Sequence, residues 1–392
     1  MIENPNIPEA VRAVAADGTQ LRYALMEMAR EMEDIITLGR GDPDLPTPAH
    51  IVEAAKRAMR DGLTGATDVR GMEPLREAIA EHMRAVNGLA LGSDNVMVST
   101  GGQEGLFLAV QAVINPGDEI IVPDPRYTSY DDAIKRAGGR MVMVPTTRED
   151  AFNLRPEAVE AAIGPASKAL LIVTPSNPTA GIVTEERLRA IAEVVIRHNL
   201  IVIVDEIYGK VVYPPWRHFS IGSLPGMAER TITLDAFSKA YAMTGWRCGY
   251  VAAPADVIDA MARIKQVTTG PVATVSQWAG LAAITGPQDC VGEYLDIYIA
   301  RRQVLLEGLD RMGFAYGEPR GGLFVWADSS STGIHAAELS YLLLKEGRVL
   351  IFPGTAFGEK WRDYVRITML EPIETLRAAV ERMLPVLERY RM

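Results

Sequence analysis

The stretch Asp235-Ala-Phe-Ser-Lys-Ala-Tyr-Ala-Met-Thr-Gly-Trp-Arg-Cys-Gly249 carries the most specific pattern in the sequence. It directly follows a short apolar run, Thr231 to Leu234, that is typical of a buried strand. Lys239 therefore lies just beyond a strand, in a chain where eight of the forty basic residues are lysine. A lysine partly removed from water becomes a nucleophilic amine able to form a Schiff base. Arg247, between two glycines, suits a phosphate dianion. Taken alone, the two residues are more simply explained as an ordinary surface lysine and a structural arginine.

Signals for strands and helices alternate through the middle of the chain. Strands are predicted over residues 94–99, 119–122, 140–144, 169–173, 200–204 and 231–234. Helices are predicted between them, from Gly102 onward and over 131–138, 156–163 and 184–198. Short apolar strands separated by helices indicate an α/β fold with a mostly parallel sheet that is covered on both faces.

The pattern changes after about residue 285. A long helix over 288–312 precedes a β-rich stretch at 322–326, a helix at 335–346, short strands near 349–352 and 364–368, and a last helix at 373–390. This order predicts a smaller α+β domain. Residues 1–45 are too short for a domain of their own, and we expect them to pack on it. The predicted organisation is a large domain over 46–285 and a small domain formed by 1–45 with 286–392.

Composition limits the classes of partner. The 392 residues carry a formal net charge of −10, which disfavours nucleic acid and anionic membranes as partners. No apolar run is long enough to span a bilayer, and the first residues lack the pattern of a signal peptide. Two distant cysteines, Cys248 and Cys290, exclude a disulfide framework and a cysteine-rich zinc site. We expect a cytoplasmic protein without a metal.

Three further motifs follow predicted strands. Asp205 and Tyr208 lie at the end of one strand and provide a carboxyl and a phenol group. Asn177 lies in a Pro-Ser-Asn-Pro turn after another strand. Gly101-Gly102 separates a strand from a helix, and the free N–H groups of a helix N-terminus bind anions. Each motif also has a purely structural explanation. Asp205 could cap a helix, Asn177 could form a plain turn, and Gly101-Gly102 could be a simple glycine turn.

Together these motifs resemble those of class I/II aminotransferases. Ser238-Lys239 followed by Gly245-x-Arg247-x-Gly249 is similar to the lysine signature of that family, and the other motifs occur in the family's order. The members are pyridoxal-phosphate (PLP) enzymes of fold type I. The resemblance therefore implies a large domain with a mostly parallel seven-stranded sheet and a smaller α+β domain.

The resemblance assigns cofactor roles to residues of this chain. Lys239 would bond the cofactor and transfer the proton, and Asp205 would pair with the protonated pyridine nitrogen. Tyr208 and Asn177 would donate hydrogen bonds to the ring's 3′ oxygen. Tyr127, in the segment Pro123-Asp-Pro-Arg-Tyr-Thr-Ser-Tyr130, would stack on the ring. The implied phosphate contacts are Gly101, Gly102, Gln103, Ser238 and Arg247.

The outer segments supply the implied substrate contacts. Arg366, in Tyr364-Val-Arg-Ile-Thr368, would grip the substrate α-carboxylate with two hydrogen bonds, next to Asn177. Gly41, in Gly39-Arg-Gly-Asp-Pro-Asp44, would bring a backbone N–H to the same carboxylate. Arg40 is adjacent, and we expect it to favour an acidic substrate; an exposed or structural arginine is the alternative.

The sequence departs from the family pattern at several positions. Ala236 stands where many relatives carry a serine that contacts the phosphate, and Ala66 where many carry a tyrosine that reaches the phosphate of the neighbouring subunit. We expect a phosphate cup that lacks two hydroxyls, compensated by Gln103 or water. In the Asn177 turn the family glycine is displaced by one position, because Ala180 precedes Gly181.

The implied function is amino-group transfer between an L-amino acid and a 2-oxo acid by a ping-pong mechanism, with an acidic or aromatic amino acid favoured. The family also implies a homodimer with the active site at its interface. A PLP-dependent carbon–sulfur β-lyase on the same fold is the alternative, since fold and cofactor do not fix reaction type. A second alternative is a non-catalytic, aminotransferase-like domain that binds an effector.

Overall fold

A computed structural model describes residues 18–390, with side chains from Leu21 onward. The prediction that no signal peptide is present falls on residues 1–17, which lie outside the described residues. The helices are α1 (Gly18–Arg30), α2 (Ala49–Arg60), α3 (Glu73–Asn87), α4 (Gly102–Val113), α5 (Ser129–Arg136), α6 (Pro156–Ala161), α7 (Glu185–Arg197), α8 (Phe237–Ala240), α9 (Ala255–Thr268), α10 (Thr274–Thr285), α11 (Asp289–Met312), α12 (Ala336–Lys345) and α13 (Ile373–Tyr390).

The strands form three sheets. They are β1 (Ile36–Thr37), β2 (Val96–Ser99), β3 (Glu119–Asp124), β4 (Arg140–Pro145), β5 (Ser167–Val173), β6 (Ile201–Asp205), β7 (Thr231–Ala236), β8 (Gly249–Ala252), β9 (Ala315–Tyr316), β10 (Phe324–Asp328), β11 (Val349–Leu350), β12 (Phe352–Pro353) and β13 (Tyr364–Thr368). The largest sheet has seven strands in the order β2-β8-β7-β6-β5-β3-β4. Its neighbours pair in parallel except where β8 pairs with β2 and β7. The predicted mostly parallel seven-stranded sheet is confirmed.

Both faces of this sheet are covered, which explains why its strands are apolar throughout. Along β5, Leu171 faces a core that includes Leu106 of α4, while Leu170 and Ile172 face a second core that includes Leu188 of α7. Successive side chains of a strand point to opposite faces, so a strand between two helical layers has no polar side.

The chain ends meet in a second, smaller unit. Strands β12, β13, β10 and β9 form an antiparallel sheet in that order, and β1 pairs in parallel with β11. Leu21 and Leu25 of α1 and Leu38 are buried in the same core as Trp326. The division into a large domain over 46–285 and a small domain formed by 1–45 with 286–392 stays a prediction.

The sequence reading placed most elements within about three residues of their observed bounds. It did not single out the helices α1, α2, α3, α8, α9 and α10 or the strands β1, β8 and β9. Strand β8 has four residues, and α10 consists mainly of small apolar residues, so neither shows a clear hydrophobic period. Among the described helices, none has the length and apolar character needed to cross a membrane.

Candidate active site

The candidate site lies at the carboxyl edge of the large sheet. Strands β2, β3, β5, β6 and β7 run in one direction and therefore end at this edge. In open α/β sheets ligands bind outside the carboxyl ends of the strands. The segments that follow these five strands carry Gln103, Tyr127, Asn177, Tyr208 and Lys239, respectively. The sheet thus gathers residues that are far apart in the sequence.

These residues line one cavity of about 600 Å³, which is in the usual range for small-molecule sites. Every predicted site residue except Gly101 lines it. Those residues are Arg40, Gly41, Gly102, Gln103, Tyr127, Asn177, Asp205, Tyr208, Ser238, Lys239, Arg247 and Arg366. Gly101 lies directly behind Arg247, as described below.

Lys239 presents a mostly buried amine to this cavity. Its Nζ donates a 2.8 Å hydrogen bond to the carbonyl of Gly41 and lies 3.8 Å from Asp42 Oδ1. Burial lowers the pKa of Lys239 to about 8, with Arg366 and Arg247 acting in the same direction and Asp42 opposing them. A larger fraction of neutral, nucleophilic amine at neutral pH follows from this shift.

Asp205 ends β6 and accepts two hydrogen bonds. Its Oδ2 accepts one of 2.8 Å from the Tyr130 hydroxyl, and its Oδ1 accepts one of 3.1 Å from the backbone N–H of Ile207. Burial raises the pKa of the Asp205 carboxyl, against the Tyr130 hydrogen bond, which lowers it. Tyr130 belongs to the motif that begins at Pro123, whose sequence pattern alone assigns a role only to Tyr127. The two tyrosines of that motif lie edge to face, with ring centroids 5.8 Å apart.

A cationic cup forms where β2 meets α4. Gly101 has φ of 77°, and a Cβ there would lie 2.6 Å from Arg247 Nη2, so this position requires glycine. The Arg247 guanidinium donates to the carbonyls of Thr100 and Thr244 at 3.2 and 3.0 Å. The first N–H groups of a helix have no intrahelical acceptor, so α4 adds donors beside this cation.

Because positions 236 and 66 hold alanine, neither supplies a hydroxyl to this cup. Ala236 is buried at the end of β7, and Ser238 supplies the nearby hydroxyl that does line the cavity. Ala66 is exposed, within a run in which residues 61–66 are all exposed, and it does not line the cavity.

Arg366 of β13 is held rigidly on the opposite wall. Its Nη1 donates to Asn177 Oδ1 at 2.8 Å and its Nη2 to the Gly39 carbonyl at 2.6 Å. Its Cζ lies 4.1 Å from the Phe324 ring centroid and 4.6 Å from that of Phe357. Its Nε is buried without a hydrogen-bond partner. A fixed guanidinium with an unsatisfied donor suits an incoming carboxylate.

The Asn177 turn accommodates its departure from the family pattern. Ala180 adopts φ of 58°, a left-handed conformation that glycine would take with less strain. Gly181 is needed for space, because a Cβ there would lie 2.6 Å from the backbone oxygen of Ala151. Close packing therefore requires Gly181, and Ala180 adopts the left-handed conformation of the turn.

Sequence reasoning missed the residues that close the cavity from the small unit. Arg22, Tyr23 and Met26 of α1 line it, as do Phe324 and Phe352. Arg22 Nε is buried without a hydrogen-bond partner, and Arg40 is exposed. An arginine on a short helix carries no local signal of a site, so only the packing of α1 shows its position.

The site matches the functional groups of pyridoxal phosphate. A buried amine faces the cavity for an aldehyde, the Asp205 carboxylate is available for a ring nitrogen, and Arg247 with the start of α4 suits a phosphate. A seven-stranded, mostly parallel sheet with these groups at its carboxyl edge defines the class of fold type I PLP enzymes. Across residues 18–390, no group of three or more His, Cys, Asp or Glu is placed to hold a metal ion.

Known proteins are similar to this chain in sequence and in fold. The family model "Aminotransferase class I and II" matches residues 33–383. An aromatic-amino-acid aminotransferase 2 of Thermococcus litoralis is 36% identical over 371 residues, 94% of this chain and 95% of that protein. An aspartate aminotransferase of Pyrococcus abyssi is 37% identical, with the same shares covered. The solved structure of Thermus thermophilus aspartate aminotransferase with maleate has a TM-score of 0.89 at 36% identity, covering 98% of this chain and all of that one.

The chain belongs to the class I and II aminotransferase family. It is an aminotransferase, and the cofactor of this family is pyridoxal phosphate.

Proposed function

We propose that this enzyme transfers an amino group between an acidic or aromatic L-amino acid and a 2-oxo acid by a ping-pong mechanism. The observation that carries the proposal is one cavity holding both a buried amine of lowered pKa, Lys239, and a rigid guanidinium, Arg366. The substrate classes are supported by the names of the relatives, which include aromatic and aspartate aminotransferases, and by a related structure determined with maleate.

Lys239 is proposed to transfer the substrate's Cα proton. Bound pyridoxal phosphate supplies an aldehyde and an electron-accepting ring, which make the Cα–H bond of an amino acid acidic. Lys239 would anchor the cofactor and, once displaced by substrate, would accept the Cα proton on Nζ and deliver it to the cofactor's 4′ carbon. Its burial supports this role, because the lowered pKa leaves more of the amine neutral near pH 7.

Asp205 is proposed to keep the ring nitrogen protonated. Its carboxylate must stay ionised for this, although burial raises its pKa. The hydrogen bonds from Tyr130 and Ile207 stabilise the ionised form and also fix the direction of the carboxylate. Tyr208 and Asn177 are proposed to donate to the ring's 3′ oxygen, and Tyr127 to stack on the ring.

Arg366 is proposed to bind the substrate α-carboxylate, together with the Gly41 backbone. The phosphate is assigned to Gly101, Gly102, Gln103, Ser238 and Arg247. Arg40 is proposed to favour an acidic side chain. Its position supports this role, since Arg40 is an exposed cation at the cavity wall.

A homodimer with the site at its interface is also proposed. Exposed apolar side chains support it: Met59 is 52% exposed, Leu63 43% and Val267 83%. They lie on α2, just beyond it and on α9, and α9 packs on α4 at the phosphate cup. A cytoplasmic location is proposed because both cysteines are free thiols, which fits a reducing compartment.

The test is an absorption spectrum of the protein reconstituted with PLP. We expect a visible cofactor band that an amino donor bleaches and a 2-oxo acid restores, with glutamate, aspartate and aromatic amino acids compared against alanine. Lys239→Ala should abolish both changes. Release of pyruvate and ammonia without an acceptor would favour the β-lyase. No response to any amino acid would favour the effector-binding alternative.

A further inference from the structure

A buried ion pair lies behind the phosphate cup. Lys265 of α9 is fully buried, and its Nζ lies 2.5 Å from Glu104 Oε2 in the first turn of α4. The Thr269 hydroxyl donates to the other carboxylate oxygen of Glu104. Burial alone would raise the pKa of Glu104, but the hydrogen bonds from Lys265 and Thr269 outweigh it and lower that pKa. The glutamate is therefore an ionised carboxylate inside the protein.

Glu104 also holds the backbone of the cup. Its Oε2 accepts a 2.6 Å hydrogen bond from the backbone N–H of Thr100. On the other side, Arg247 donates to the Thr100 carbonyl at 3.2 Å. Both backbone polar atoms of Thr100 are thus fixed immediately before Gly101-Gly102. The direction of the N–H groups that open the helix depends on this anchor.

A carboxylate at this place creates an electrostatic problem. A phosphate dianion at the N-terminus of α4 and an unpaired carboxylate in its first turn would repel each other across a part of the protein with low polarizability. A positive charge paired with Glu104, such as that of Lys265, would reduce this repulsion. Among residues 18–390, no other lysine or arginine forms a salt bridge with Glu104.

We propose that Glu104 and Lys265 are positioning residues for the cofactor phosphate. Glu104 fixes the Thr100–Gly102 turn, and Lys265 cancels the charge that this anchor would otherwise place beside the phosphate. The inference rests on the proposed phosphate role of the cup. It assigns a function to two residues that do not line the main cavity.

Charge compensation and simple structural support predict different results. If the pair were only structural, removing either partner would weaken all cofactor binding in the same way. If Lys265 compensates Glu104, removing the lysine weakens binding of a phosphorylated ligand, and removing the glutamate charge as well restores it. Glu104→Gln keeps a side-chain acceptor for the Thr100 N–H.

The experiment titrates apoprotein with pyridoxal phosphate and, separately, with pyridoxal, which lacks the phosphate. We expect Lys265→Met to raise the dissociation constant for pyridoxal phosphate by roughly tenfold or more, with a change of about twofold or less for pyridoxal. Glu104→Gln should bind pyridoxal phosphate as tightly as the parent or more tightly. The double variant should return to within about threefold of the parent.

Lys56→Met is the matched control, because it breaks an exposed Lys–Glu pair, Lys56–Glu53, on the surface of α2. Lys56→Met should change neither the dissociation constant for pyridoxal phosphate nor that for pyridoxal. Circular dichroism of each variant verifies folding, and the double variant provides the test if Lys265→Met alone does not fold.

Equal weakening for both ligands in Lys265→Met, no change at all, or a double variant as weak as the single would each overturn the proposal. Binding by the parent protein shows separately whether the proposed phosphate role of the cup is wrong. If the parent binds pyridoxal phosphate no more tightly than pyridoxal, the phosphate assignment is wrong, whatever the variants do.

Discussion

Arg366 and Asn177, which are 189 residues apart in the chain, share a hydrogen bond of 2.8 Å from Nη1 to Oδ1. The bond joins a strand of the small unit to a loop of the large sheet. It connects the residue proposed to bind the substrate carboxylate with one proposed to contact the cofactor ring. The two ligands would thus be aligned by a direct contact between their binding groups.

Loss of this bond should weaken substrate binding. In Asn177→Ala the Arg366 guanidinium keeps only the Gly39 carbonyl as a partner. A hydrogen bond to a charged group contributes about 1.5–3 kcal/mol, so we expect the half-saturating amino acid concentration to rise roughly 10- to 100-fold. Single-turnover bleaching of the cofactor band measures it. An unchanged half-saturating concentration would show that Arg366 does not need this partner.

Removal of the Tyr130 hydroxyl should alter the pH dependence of the reaction. The Tyr130 hydrogen bond lowers the pKa of Asp205, so Tyr130→Phe should raise that pKa further. Asp205 would then stay protonated to higher pH, and the acidic limb of the kcat/KM profile should move upward in pH. At the acidic end we expect a loss of about tenfold or more.

Tyr250→Phe is the matched control for this prediction, because it removes a 2.8 Å hydroxyl bond to a different buried carboxylate, that of Asp235. Equal shifts in the two variants would show that the effect is a general consequence of loosening the core.

The Lys239 amine should titrate well below an ordinary lysine. Because burial lowers its pKa to about 8, its modification by an amine-selective reagent in the apoprotein should accelerate as the pH rises through 8. Mass spectrometry of the peptide that contains Lys239 gives the rate at each pH. Half-maximal reactivity near pH ~10.4, the ordinary value for lysine, would contradict the burial seen here.

Arg40 and Arg22 can be separated as determinants of substrate preference. Exposed ion pairs contribute about 0.2–1 kcal/mol, so Arg40→Ala should reduce kcat/KM for acidic amino acids about two- to fivefold relative to aromatic ones. The same ratio measured for Arg22→Ala is the comparison. No change in the Arg40 variant, with a loss in the Arg22 variant, would transfer the role to α1.

Gly181 should be intolerant of a side chain. A Cβ there would lie 2.6 Å from the backbone oxygen of Ala151, and such overpacking costs about 1–3 kcal/mol. Gly181→Ala should therefore lower the denaturation midpoint. Gly292→Ala is the control, since its Cβ would meet no atom within 4 Å on helix α11. Equal midpoints for the two variants would contradict the close packing of the turn.

Much of the site could be predicted from local sequence. Asp205 ends an apolar strand, and Lys239, Asn177 and Gly101 each lie within four residues of the end of one. These positions are visible in the residue order. Because the carboxyl ends of parallel strands meet at one edge, the order also predicts that these residues converge. The family motifs then imply the cofactor.

The alternation of short apolar strands with helices determined the α/β class, and residue types at strand ends determined the chemistry. Tertiary structure alone decided which side chains hold these groups in place. Tyr130 bonds Asp205 across 75 residues, Lys265 bonds Glu104 across 161, and α1 brings Arg22 to the cavity. These contacts have no local pattern, because they arise where packed helices and strands meet, and burial there sets the pKa of Lys239 and Asp205.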